Sequence, residues 1–144
     1  SPGLEDLVQA LHKRGTAVYL VSGGFRMMIE PIAASLSIPK TQIYANTIYF
    51  NDDGTYKDFD PTEFTSMDGG KRKALQMLKS QHGYSSMIMV GDGATDMQAK
   101  APDAADICIG YGGIVSRQIV QEKADWFIDD FSEFIDLVQS RPLA

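Results

Sequence analysis

The chain has 144 residues, 44% hydrophobic and 22% charged, and carries a formal net charge of −6 at neutral pH. That length suits one domain able to bury roughly two-thirds of its unfolded surface. The acidic balance argues against nucleic acid or anionic membrane as a partner and leaves an anionic ligand dependent on local donors and metal. One cysteine, Cys108 in the apolar Ile107-Cys108-Ile109, forbids an internal disulfide, no apolar run approaches a membrane span, and the composition suits a cytoplasmic domain.

Leu4, Leu7, Val8 and Leu11 recur at helical spacing before Gly15 ends the segment. Residues 17–21 then read as a buried strand running into Ser22-Gly23-Gly24-Phe25-Arg26. Backbone amides at Gly23 and Gly24, with the Ser22 hydroxyl, make a donor cluster suited to an anionic oxygen, although a serine cap with glycines chosen only for the turn would give the same letters. Arg26 opposes the macrodipole of the helix it opens, so it faces an anion or water. The helical pattern covers 25–36 despite Pro31, which predicts a kink or a start, and Ile38-Pro39 closes it.

Residues 43–59 interrupt the alternation. Asp53-Gly54, between Thr47-Ile48-Tyr49-Phe50 and Thr55-Tyr56, predicts a β-hairpin. The pentapeptide Asp58-Phe59-Asp60-Pro61-Thr62 then falls in the loop leaving it.

Asp68-Gly69-Gly70-Lys71 opens an amphipathic helix over 71–81. A lysine at a helix start is disfavoured by the dipole, a cost that makes sense if an anion shares the site; Arg72 and Lys73 read as solvated charges. Strand 87–91 follows, then Gly91-Asp92-Gly93-Ala94-Thr95-Asp96, two carboxylates on a glycine-flanked turn. Four residues separate them, so a helix starting near Ala94 folds the second back beneath the first. Hard oxygen ligands there suggest Mg²⁺, while an Asp N-cap with Asp96 in the first helical turn is the plainer alternative. A helix over 95–101, a strand over 105–109, a helix over 114–122, a strand over 126–128 and a helix over 132–139 complete the alternation of a doubly wound α/β fold. His12 and His82 lack metal-ligand spacing.

Ser22-Gly23-Gly24-Phe25, Gly69-Gly70-Lys71 and Gly91-Asp92-Gly93-Ala94-Thr95-Asp96 resemble the second, third and fourth motifs of the haloacid dehalogenase superfamily. The likeness extends to Tyr44-Ala45-Asn46 and Gly110-Tyr111-Gly112-Gly113 and is closest to the branch acting on O-phosphoserine in the last step of serine biosynthesis. It implies a Rossmann-like parallel core with a hairpin insertion and Mg²⁺-dependent hydrolysis of a small phosphomonoester through an aspartyl phosphate. Carried over by residue, Asp92 holds the metal together with two groups of the family's first motif, and Asp96 orients the metal water or Asp92 and steadies Lys71. Lys71 bridges phosphate and nucleophile, while Ser22, the Gly23 and Gly24 amides and Thr95 bind the remaining oxygens. A homodimer is compatible with the chain, which carries nothing that fixes an oligomeric state.

The family's first motif, a strand ending Asp-x-Asp-x-Thr or Val, and the cap that recognises serine are expected to be absent, since residue 1 falls where the segment after the cap begins. The strand between those at 17–21 and 87–91 is then expected to be vacant, swapped or substituted, and the chain alone inactive. Other readings are a non-catalytic module binding phosphate, Mg²⁺ or another polypeptide, and a superfamily phosphatase or phosphotransferase of other specificity. Asp58 to Thr62 matches the first motif literally, but its hairpin surroundings are wrong for a nucleophile at the end of a buried strand.

Overall fold

The computed structural model describes residues 3–66, 69–91, 94–111, 123–128 and 130–140. Within them lie helices α1 (Leu4–Lys13), α2 (Arg26–Ser35), α3 (Gly70–His82), α4 (Ala94–Met97) and α5 (Phe131–Ser140). The strands are β1 (Leu20–Phe25), β2 (Ile43–Asn46), β3 (Ile48–Phe50), β4 (Tyr56–Phe59), β5 (Ile88–Gly91), β6 (Ile107–Tyr111) and β7 (Trp126–Ile128), and short 3-10 turns occupy Lys40–Gln42 and Phe64–Ser66. The helix expected over 114–122 lies outside the described residues.

β1 pairs in parallel with β2, β5, β6 and β7 form a parallel sheet in that order, and β3 and β4 make the antiparallel hairpin. β6 is the middle strand of its sheet and is buried from Cys108 to Tyr111, as a parallel strand covered on both faces should be. Among the described residues β1 and β5 do not pair with each other. Side chains nevertheless join the two sheets: Val21 of β1 packs against the cluster that holds Leu75, Met89 and Cys108.

α3 covers one face of the three-stranded sheet through that cluster. On the other face Leu7 of α1 and Phe131, Phe134 and Val138 of α5 pack on Ile109, Tyr111 and Ile128. A third cluster joins Val8 of α1 and Ala33 of α2 to Ile43 and Ala45 of β2. Neighbouring residues of α1 thus serve two cores, and the Arg14 guanidinium donates to the Val138 carbonyl at 2.8 Å to hold α1 against α5.

Three elements differ from the sequence reading. β1 does not stop at Val21 but continues through Ser22-Gly23-Gly24, because Phe25 re-pairs with Asn46 after an irregularity in the register. Pro31 neither starts nor ends α2; it sits inside the helix, near the exposed Met27 and Met28. The helix predicted over 95–101 closes at Met97. Pro102 disfavours helical backbone at the residue before it, and the segment instead turns so that the Ala101 amide donates to the Ala105 carbonyl and the Ala105 amide to the Ala99 carbonyl, each at 3.0 Å.

Candidate active site

Lys71 is the second residue of α3 and Asp96 the third of α4. Their side chains meet: Lys71 Nζ donates to Asp96 Oδ1 at 2.5 Å, with the lysine side chain 19% and the aspartate 8% exposed. The dipole cost of a cation at a helix start is therefore offset first by a carboxylate of the chain itself. Gly91, the last residue of β5, makes this possible, since a Cβ there would overlap the Asp96 carboxyl group. The strand end must be bare for the aspartate to fold back onto it.

The Ser22 segment lies on the same side of the core. Leu75, one turn from Lys71 on α3, packs in the cluster that Val21 joins, so the chain after Val21 emerges beside the start of α3. The Gly24 N–H donates to Ser22 Oγ at 3.0 Å. Ser22 and Gly24 are thus bonded to each other, whereas the sequence reading had the Gly24 amide aimed outward with the hydroxyl. A ligand oxygen would have to compete for that amide or draw on its neighbours.

Asp92, Gly93 and Asp68, with the side chain of Thr95, lie outside the described residues. Among the described residues no group of three His, Cys, Asp or Glu side chains could hold a metal ion. In the sequence Asp92, whose carboxylate is a hard oxygen donor, directly follows β5.

Arg26 meets an anion from the chain itself rather than bulk water. Its guanidinium donates to the Ile43 carbonyl at 2.9 Å and lies 3.3 Å from Glu63 Oε1. The pentapeptide at 58–62 is partly in β4 rather than in the loop after it, and every residue of β4 is exposed. Its carboxylates serve local turns: Asp58 accepts from the Phe59 amide at 2.8 Å, and Asp60 accepts from the Thr62 amide and hydroxyl at 2.9 and 2.6 Å. Those two bonds hold the Asp60 carboxyl below the usual carboxylate range. Glu63 carried no sequence signal, since its partners Arg26 and Thr47 lie in distant segments; Gly91 was legible as part of a glycine-flanked turn, and only the atoms it clears were not.

A family model for haloacid dehalogenase-like hydrolases matches residues 1–100. The chain belongs to that family. It is 46% identical over 136 residues to the chloroplastic phosphoserine phosphatase of Arabidopsis thaliana, covering 94% of this chain and 46% of the relative. The chain spans about half the length of the curated relatives it matches. A solved phosphoserine phosphatase described as a phospho-aspartyl intermediate analogue superposes with a TM-score of 0.76 at 26% identity, covering 92% of this chain and 61% of the other. The structure of DsGPDH from Dunaliella salina superposes with a TM-score of 0.81 at 36% identity, covering 96% of this chain and 23% of that one. As a family member the chain has the parallel α/β core of that family's fold.

Proposed function

We propose that residues 1–144 form the core domain of a magnesium-dependent phosphoserine phosphatase, which converts O-phosphoserine and water to serine and phosphate through an aspartyl phosphate. The observation that carries this reading is the buried Lys71–Asp96 pair at the carboxyl end of β5, where ligands bind in open α/β sheets. The named relatives support the substrate, and the solved intermediate analogue supports the covalent route.

Phosphoryl transfer asks a protein mainly for positioning and charge neutralisation. Lys71 would place its ammonium between the phosphate and the nucleophile while Asp96 fixes that ammonium in place. Ser22, the amides of Gly23 and Gly24, and Thr95 would hold the remaining oxygens. Magnesium, held by Asp92 together with oxygens from beyond the described residues, would supply further positive charge. Among the described residues no aspartate stands at the carboxyl end of a parallel strand to be phosphorylated, and on this reading the 144 residues alone should release no phosphate at an enzymatic rate.

The test is phosphate release from O-phosphoserine, O-phosphothreonine and glycerol phosphate by the protein with its natural ends, with Mg²⁺ and with EDTA. A Mg²⁺-dependent preference for O-phosphoserine is expected. Preference for another ester would reassign the substrate within the family. No release from any of them would favour a binding module, and robust turnover by the 144 residues alone would mean that the nucleophile lies among them.

A further inference from the structure

Arg26 opens α2, where a cation works against the helix dipole, yet its side chain is only 24% exposed and its partner Glu63 only 18%. Glu63 Oε1 also accepts from the Thr47 hydroxyl at 3.0 Å. One carboxylate oxygen therefore gathers the start of α2, which directly follows the Ser22 segment, and the chain entering the hairpin. The hairpin base closes on the same residue, with the Asp60 amide donating to the Thr47 carbonyl at 2.8 Å.

From Glu63 the chain passes at once into the 3-10 turn Phe64–Ser66. Thr65 Oγ1 fixes that turn to the end of β2 by a bond to Asn46 Oδ1 at 3.0 Å. Its far side meets α3 with no side chain between them, since a Cβ on Gly70 would overlap the Phe64 carbonyl. Gly70 is followed by Lys71. A backbone contact of that kind transmits displacement, because neither partner can yield by changing rotamer.

We propose that Arg26 and Glu63 are positioning residues for the phosphate site, setting the Ser22–Gly24 segment against the lysine at the start of α3 through the Phe64–Ser66 turn. The proposal rests on the reading of Lys71 and Ser22 as phosphate-binding groups. Neither Arg26 nor Glu63 needs to touch substrate. A largely buried ion pair contributes little net stability compared with an apolar pair of the same shape, and the bonds of this one tie together the start of α2, Thr47 and the chain entering the Phe64–Ser66 turn.

The experiment uses the protein with its natural ends and the variants Glu63→Ala, Glu63→Gln and Arg26→Lys. Glu63→Ala should lower kcat/KM for O-phosphoserine by about tenfold to a hundredfold, the loss that goes with a misplacement of ~1 Å. Glu63→Gln keeps an acceptor for Arg26 and Thr47 and should recover most of it, and Arg26→Lys, lacking the fork, should fall between. In a Lys71→Ala background Glu63→Ala should cost little more, because its effect runs through the lysine. Independently of turnover, hydrogen exchange at residues 70–73 should quicken in Glu63→Ala while that of α5 stays unchanged. Losses that simply add to that of Lys71→Ala, or full activity in both Glu63→Ala and Arg26→Lys, would overturn the proposal. Should the wild-type protein hydrolyse no phosphomonoester, the phosphatase reading fails by itself, and unchanged exchange at 70–73 would then overturn the clamp separately.

Discussion

Lys71 combines two burdens, a helix dipole that disfavours it and a nearly buried carboxylate that requires it. Removing the ammonium leaves Asp96 uncompensated, so Lys71→Ala should cost stability, of the order of 3–5 kcal/mol for a buried pair that loses one member, as well as catalysis. In the protein with its natural ends kcat/KM should fall by a factor of about 10² or more, the size of a lost electrostatic clamp. Lys73, two residues on, is exposed, and Lys73→Ala should change turnover little; equal losses in the two would reject the role given to Lys71. Gly91→Ala offers a complementary check, since its methyl group would displace Asp96 rather than delete it. It should lower both the melting temperature, by an overpacking cost of roughly 1–3 kcal/mol, and kcat. Asp58→Asn and Asp60→Asn should leave turnover nearly intact, because both carboxylates are spent on neighbouring backbone amides in an exposed stretch of the chain. Abolished turnover in either would make the hairpin pentapeptide the nucleophile after all.

At the scale of elements, α3 and β5 were legible because periodicity and flanking glycines agree. α4 was overdrawn because Pro102 acts from beyond the helix. The Ser-Gly-Gly segment reads as a turn but stays within β1, since the pairing of Phe25 with Asn46 is decided by β2, which local sequence does not contain. Of the candidate site, the Lys71–Asp96 partnership was implied by the family resemblance, whereas Glu63 was invisible: its partners stand 37 and 16 residues away. The entry to β1 shows another such long-range tie. Tyr19, just ahead of the strand, shares a 2.6 Å hydroxyl contact with Tyr84, beyond the end of α3. Burial, reinforced by Tyr84, pushes the Tyr19 phenol up to about 12. A phenol whose folded pKa is raised contributes stability in its neutral form. That contribution is complete below the unfolded value near ~10 and is lost as pH climbs through about 12. The difference in urea midpoint between wild type and Tyr19→Phe should hold constant up to about pH 9 and change only above it; a difference independent of pH to the alkaline limit would contradict the assignment.

Besides the β3–β4 hairpin, the described residues form two parallel sheets that share side-chain packing without sharing a strand pair. What couples them is packing: Val21 against the α3 cluster, and α1, whose Leu7 belongs to the core of β6 and β7 while Val8 belongs to that of β2. Hydrogen bonds across a sheet would make the two halves open together, whereas side-chain contacts alone permit separate cooperative units. Adjacent residues of one helix can therefore report on different halves. Leu7→Ala should reduce exchange protection in β6 by about 2–5 kcal/mol, the usual cost of a buried leucine truncation, and affect β2 less. Val8→Ala should do the reverse, weakening β2 by roughly 1–3 kcal/mol with a smaller effect on β6. Native-state hydrogen exchange resolved by residue decides the matter. If either substitution lowers protection equally in β2 and β6, the two sheets open as one unit, and packing through α1 and Val21 couples them as tightly as a shared strand would.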